Sequence, residues 1–337
     1  MLVKAREPQM NADERRCSSG GKRQWLAGAI ATCIHDGKLA WRAICVHLRF
    51  PQTNVTMGTM REGSVKCLGP RGFHRMRWVE WGDRGNPRVL VCVHGLTRCG
   101  RDFDYLAERL ADSYRVVCPD IAGRGRSDWL ADKADYGYPQ YCADLAAMLA
   151  AIGAESVDWV GTSMGGILGM ILAAQPRTVV GRLVLNDVGC VVPKAALERI
   201  ATYVGREVSF DTLEALEAAM RMVSPFGSLT AAQWGHLAIH VARRDEAGRW
   251  RFRYDPGIAA PFQAGPLADL DLRPFWHAVR GPVLVIRGEH SDLLTPGIHA
   301  EMLRRPGTES LVVAGAGHAP MLMDAAQVSA IRTFLDA

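Results

Sequence analysis

Residues 157–166 read Val157-Asp158-Trp159-Val160-Gly161-Thr162-Ser163-Met164-Gly165-Gly166. A short apolar run meets a glycine-flanked serine, and a Gly- and Ala-rich segment from Met164 to Ala174 follows. The run predicts a buried strand over 157–160, and the segment predicts a helix able to pack closely on a sheet. Between them, Gly-x-Ser-x-Gly predicts a tight strand-to-helix turn. Side chains two residues before and two after the serine would collide with neighbouring backbone, so glycine stands at both positions. Such a turn exposes the Ser163 hydroxyl and leaves the Met164 N–H at a helix N-terminus, facing any oxygen that becomes anionic nearby.

The same alternation extends in both directions. Strands are predicted over 74–81, 88–93 (RVLVCV), 114–118, 182–185, 283–286 and 310–313, with helices over 102–111, 139–152 and 325–335. Gly153 stands where the helix over 139–152 should stop. Strands alternating with helices imply an α/β fold with a mostly parallel sheet covered on both faces. One block departs from the alternation. Residues 191–273 are mostly helical in pattern and carry Trp234, Trp250, Phe252, Tyr254 and Phe262. An insertion of this kind between two sheet strands reads as a helical cap, with most of its aromatics serving as its own core. The expected organisation is an extension at 1–56, a core at 57–190 and 274–337, and a cap at 191–273.

Charge separates the extension from the rest. The first 56 residues hold nine Lys/Arg and four Asp/Glu, which is the whole of the chain's net +5. A neutral main body gives no footprint for nucleic acid or an anionic membrane, so neither is expected as a partner. The apolar stretch from Trp25 to Ile34 ends at His35-Asp36-Gly37-Lys38 without a small-residue cleavage pattern, which argues against secretion. Residues 1–56 are expected to be an unordered extension, or to precede a true start at Met57 or Met60. The nine cysteines show no metal-type spacing, and Cys92 and Cys118 fall in apolar strands. Reduced thiols in a cytoplasmic protein are the expectation.

Three further stretches carry chemistry. His94-Gly95-Leu96 follows the RVLVCV strand, where the Leu96 N–H can supply a second donor to an oxyanion and His94 can brace the loop. Asp292 follows the strand over 283–286 in Gly288-Glu289-His290-Ser291-Asp292, and His318 follows the last strand in Gly315-Ala316-Gly317-His318. A serine hydroxyl needs a base to take its proton, and an imidazole needs a carboxylate to fix its tautomer. Ser163, Asp292 and His318 stand in chain order at the ends of three strands, where open sheets bind ligands. Asp187, just after the strand over 182–185, is the rival for the acid. His290 reads as a surface residue of the acid loop, and Arg98 and Arg101 as loop anchors or contacts to an acidic substrate.

From about residue 72 onward the chain resembles the α/β-hydrolase fold superfamily, in its capped, esterase-like form. The resemblance rests on His94-Gly95, on Asp120-Ile121-Ala122-Gly123-Arg124-Gly125-Arg126-Ser127, on Gly161–Gly165 and on Gly317-His318. It implies a triad of Ser163, Asp292 and His318, oxyanion donors at Leu96 and Met164, and a structural role for the 120–127 loop. Related dehalogenases and epoxide hydrolases carry aspartate where Ser163 stands, so acyl transfer to water is implied instead. Neither metal nor organic cofactor is called for, and Gly123–Gly125 lacks a dinucleotide or phosphate-loop spacing. The expected substrate is a small carboxylic ester. A carbon–carbon bond hydrolase or lactonase using the same triad is the alternative, and a weakly catalytic ligand sensor a third.

Overall fold

Eight strands form the central sheet: β1 (Arg61–Gly69), β2 (Gly72–Trp81), β3 (Val89–Val93), β4 (Arg115–Asp120), β5 (Val157–Thr162), β6 (Val180–Asn186), β7 (Val283–Gly288) and β8 (Thr308–Val313). These come from a computed structural model that describes residues 60–337, together with the backbone of a short hairpin pairing Ile34–His35 with Lys38–Leu39. The expectation of an unordered extension over 1–56 lies, apart from that hairpin, outside the described residues, and the structure has no bearing on a start at Met57 or Met60. The sheet order is β1-β2-β4-β3-β5-β6-β7-β8. Only β2 runs against its neighbours β1 and β4, and every other pair is parallel.

Near-continuous apolar runs follow from burial on both faces. Val91 and Val93 of β3 join Trp159 and Leu185 on one face, under α2 (Tyr138–Ile152) and α3 (Met164–Ala173). Leu90 and Cys92 point the other way, with Cys118, Val160 and Val184, against α1 (Asp104–Leu110) and the C-terminal helix Ala325–Asp336. Each fully buried aliphatic side chain in such a layer contributes about 1.5–3 kcal/mol relative to exposure. The helix α2 ends at Gly153, whose φ of 67° is the left-handed conformation of a helix C-terminus.

The strand β1 had no sequence expectation. Its exposed alternate residues are Glu62, Ser64, Lys66 and Leu68, mostly charged or polar, and it forms a sheet edge, so no apolar run announces it. The charged edge residues Glu62 and Lys66 also discourage further strand pairing.

Between β6 and β7 the chain leaves the sheet and returns. Val191–Val192 pairs antiparallel with Leu270–Asp271, so the outgoing and incoming chains run side by side. The block between contains α4 (Lys194–Ala201), α5 (Leu213–Met222), α6 (Ala231–Val241) and a hairpin pairing Ala242–Arg244 with Trp250–Phe252. Helix α6 starts with a reciprocal cap in which Thr230 accepts from the Gln233 N–H and Gln233 accepts from the Thr230 N–H. Leu216, Met220, Trp234, Leu237 and Val241 of the block form one apolar cluster with Cys99, Met321 and Met323 from outside it. Among the described residues, no helix is long and apolar enough to cross a membrane.

Candidate active site

Ser163 caps α3 from a backbone with φ 52° and ψ −116°, a conformation L-residues avoid. Its neighbours hold it there. The Ser163 N–H donates to Asn186 O at 2.9 Å, and the Gly166 and Ile167 N–H groups donate to Ser163 O. A Cβ on Gly161 would lie 2.3 Å from Gly165 O, and one on Gly165 would lie 2.0 Å from Val93 O. Both contacts are with backbone, which cannot swing aside, and they account for the two glycines the turn requires. Gly165→Ala is therefore expected to cost about 3 kcal/mol or more. A thermal melt beside the unaltered protein measures it.

His318 follows β8 and reaches the serine. Its Nε2 lies 2.9 Å from Ser163 Oγ, and its Nδ1 lies 2.7 Å from Asp187 Oδ2. The expected acid, Asp292, is not at the histidine, and that assignment is corrected. Asp292 has a side chain 47% exposed and pairs with Arg199 of α4 at 2.5 and 3.0 Å. The reason is local. In the loop after β7, Ser291 turns inward and donates to Asp187 Oδ2 at 2.6 Å, so its sequence neighbour faces solvent. Asp187 directly follows β6, the strand beside β5, and is 0% exposed. Its Oδ1 accepts the Gly288 N–H at 2.8 Å. Three donors converge on this carboxylate, which fixes its plane and orients the imidazole.

The loop after β3 is braced as expected, by hydrogen bonds that define a tautomer. The Ile121 N–H donates to His94 Nε2 at 3.0 Å, so the ring proton sits on Nδ1, which donates to Gly95 O at 2.7 Å. Burial pushes the His94 pKa down to about 3, which keeps the ring neutral. Gly95 O also accepts the Arg98 N–H at 3.1 Å. Gly95 C=O and Leu96 N–H belong to one planar trans peptide, so fixing the carbonyl fixes the N–H on its opposite side. Gly95 itself lies against Ser163, where a Cβ would be 3.7 Å from the serine Cβ.

Sequence reasoning gave no individual role to Arg124, Ser291 or Asn186. Arg124 is 0% exposed and donates to Leu96 O, Ala122 O and Tyr141 OH, each at 2.8 Å. A buried guanidinium needs such acceptors, and here they tie the 120–127 loop to the turn at Leu96. Asn186 Nδ2 donates to Thr162 Oγ1 at 3.0 Å and Pro320 O at 2.7 Å, joining the serine turn to the histidine loop. Asp120 holds its own loop, accepting the Gly100 and Arg126 N–H groups at 2.8 Å, and burial pushes its carboxyl up to about 6. Arg98 is held by Asp102 and Arg101 by Asp104, the anchoring arrangement. His290 is exposed.

Two cavities meet at Ser163, and Leu96 and Ile200 are common to both. The first, of about 300 Å³, includes His318, Arg98, Phe210, Met220 and Phe252 in its wall. The second, of about 320 Å³, includes Met164, Tyr138, Tyr141, Val188 and Phe262. Of the aromatic series noted in the sequence, Phe252, Tyr254 and Phe262 line cavities, whereas Trp234 is buried in the cluster of the inserted block and stacks on Phe226.

Among the described residues, two groups of possible metal ligands lie elsewhere. Cys67, His74 and Asp144 satisfy one another, with His74 Nε2 2.8 Å from Asp144 Oδ2. Asp104, His236 and His240 form the other, but Arg101 already holds Asp104 at 2.6 Å. Burial, with Arg101, His236, Arg126 and Arg253 nearby, pushes His240 down to about 3, and that positive surround disfavours a cation.

A family model described as the alpha/beta hydrolase fold matches residues 88–325. The chain is 46% identical over 279 residues to a 3-hydroxybutyrate-oligomer hydrolase of Cupriavidus necator, covering 80% of this chain and 95% of that protein. It is 29% identical to an N-formylmaleamate deformylase of Pseudomonas putida, over 72% of this chain and 86% of that one. The crystal structure of an alpha/beta hydrolase from Novosphingobium aromaticivorans matches with a TM-score of 0.75 at 38% identity, covering 83% of this chain and 99% of its own.

Proposed function

Since the chain belongs to the α/β-hydrolase fold family and is a hydrolase acting on ester bonds, we propose that it cleaves short oligoesters of small hydroxy acids, 3-hydroxybutyrate oligomers above all, through Ser163, His318 and Asp187. The observation that carries this reading is the hydrogen-bonded line from Asp187 through His318 to Ser163, set at the junction of two cavities. An oligoester has a chain on each side of its scissile bond, and two cavities flanking one nucleophile suit it. The inserted block serves as a cap, since its Ile200, Phe210, Met220 and Phe252 wall the first cavity together with Leu96, Ser163 and His318.

The chemistry follows from the geometry. His318 Nε2 takes the proton as Ser163 Oγ attacks the ester carbonyl, and Asp187 steadies the imidazolium that results. The developing oxyanion is met by the N–H groups of Met164, first residue of α3, and Leu96, held in place through His94. His318 then gives its proton to the leaving alcohol, and a water activated by the same nitrogen releases the acyl group.

Incubation with the linear 3-hydroxybutyrate dimer and trimer is expected to release monomer. Their kcat/KM should be at least about tenfold above that of p-nitrophenyl esters with long acyl chains, which outgrow cavities of this size. Turnover of p-nitrophenyl butyrate with no cleavage of either oligomer would overturn the oligoester reading. The hydrolysis rate of vinylogous diketo acids and lactones, measured alongside, tests the alternative substrates of the same triad.

A further inference from the structure

The two cavities are not equivalent, and their difference gives the substrate a direction. His318 lines the first cavity and not the second, whereas Met164 lines the second and not the first. The leaving oxygen must collect its proton from His318, so the alcohol half of the ester extends into the first cavity and the acyl half into the second. For an oligoester of hydroxy acids the alcohol half is itself a hydroxy acid. It ends in a carboxylate, which has to lie somewhere.

A smaller pocket of about 110 Å³ opens beside the first cavity and shares with it Arg206, Val208, Phe252 and Tyr254. Its remaining wall includes Trp129, Arg243, Arg251 and Glu207. Of its three arginines, Arg251 is engaged, by Asp245 at 2.6 Å and Glu207 at 3.8 Å. Among the described residues, Arg206 and Arg243 pair with no carboxylate. The guanidinium of Arg243 sits 5.3 Å from the centre of the Trp129 ring, and its Nε is buried without a hydrogen-bond partner. A buried donor left unsatisfied is unfavourable, and a guanidinium without a carboxylate partner gains from an anionic acceptor beside it. Lys133, which lies over Trp129, is already taken by Asp255. The Arg98 guanidinium inside the first cavity is likewise neutralised by Asp102 at 2.7 and 2.8 Å. The second cavity contains no basic side chain, and Asp269 is its one charged residue.

We propose that Arg206 and Arg243 form a carboxylate subsite that receives the free acid end of the leaving hydroxy acid, so that the enzyme favours cleavage near the acid terminus of an oligomer. This rests on the oligoester reading for the identity of the substrate but on the pocket for the anion. Arginine suits the task, because its planar fork meets a carboxylate with two parallel hydrogen bonds.

The test compares the 3-hydroxybutyrate dimer with its methyl ester, which differs only in the terminal charge. The unaltered enzyme is expected to show a kcat/KM at least about tenfold higher for the acid. Arg206→Ala, and the pair Arg206→Ala with Arg243→Ala, should raise KM for the acid and erase that preference. In Arg243→Ala, whose residue walls the small pocket and not the first cavity, the methyl ester and p-nitrophenyl butyrate should stay within about twofold, and Arg206→Lys should recover part of the effect. A preference that is absent, or that survives both substitutions, overturns the proposal. Should the enzyme cleave neither dimer, the oligoester reading fails by itself. The subsite is then judged by inhibition of p-nitrophenyl butyrate hydrolysis by 3-hydroxybutyrate and by its methyl ester. Stronger inhibition by the acid that disappears in the double variant sustains the subsite, and equal inhibition refutes it.

Discussion

Replacing Ser163 with alanine is expected to lower kcat for ester hydrolysis by about 10⁵- to 10⁶-fold, the scale seen when a triad nucleophile is removed. The hydroxyl is the atom that bonds to the acyl carbon, and among the described residues no other hydroxyl lies against His318 Nε2, whose partner at 2.9 Å is Ser163 Oγ. Covalent labelling by a fluorophosphonate should vanish in the same variant. The fold should persist. Alanine keeps the Cβ already accommodated there, and the backbone bond from residue 163 to Asn186 O does not involve the side chain. Affinity for substrate should change little, since every other residue that walls the two cavities is unchanged. A variant that retained most of its activity with an unchanged melting temperature would place the nucleophile elsewhere.

What could be read from the sequence, and what could not, has a physical pattern. Strands buried on both faces write themselves as apolar runs, and β3, β5 and β7 were all legible for that reason. The edge strand β1 buries too little to leave such a trace. Ser163 and His318 were legible because each sits in a glycine-bearing turn directly after a strand, and close packing demands those glycines. His94 was legible as a brace because it stands at the turn whose Gly95 carbonyl it meets, although its second partner, the Ile121 N–H, is brought to it only by the fold. The acid was different. An aspartate after a strand is common, and choosing between Asp187 and Asp292 depends on which way one residue of the 288–294 loop turns. Ser291 took the inward position, and nothing in local composition signals that a serine will face the core while the adjacent carboxylate faces water. Arg124 escaped for a related reason: its three acceptors are brought together only by the fold.

The acid assignment makes a sharp expectation. Asp187→Asn should lower kcat by about 10⁴-fold, as loss of the triad carboxylate does elsewhere, whereas Asp292→Asn should stay within about threefold of the unaltered enzyme. Asp187 accepts hydrogen bonds from His318 Nδ1–H, Ser291 Oγ–H and the Gly288 N–H. An asparagine there offers one oxygen and an NH₂ group in place of two acceptors. If the oxygen keeps the Gly288 N–H, the NH₂ group meets His318 and favours the tautomer with its proton on Nε2, facing Ser163 Oγ, where a base cannot work. The loss should therefore fall in kcat while KM holds. It should also be partly relieved at high pH, where deprotonated serine or hydroxide bypasses the base. Asp292, by contrast, shares an exposed ion pair with Arg199, and such pairs contribute about 0–1 kcal/mol. Its amide replacement should shift the melting temperature by no more than a few degrees. Were Asp292→Asn crippling and Asp187→Asn mild, the loop after β7 would have to reverse Ser291 and Asp292 during turnover, and the hydrogen bonds that Ser291 Oγ accepts from the Leu293 and Leu294 N–H groups oppose that reversal.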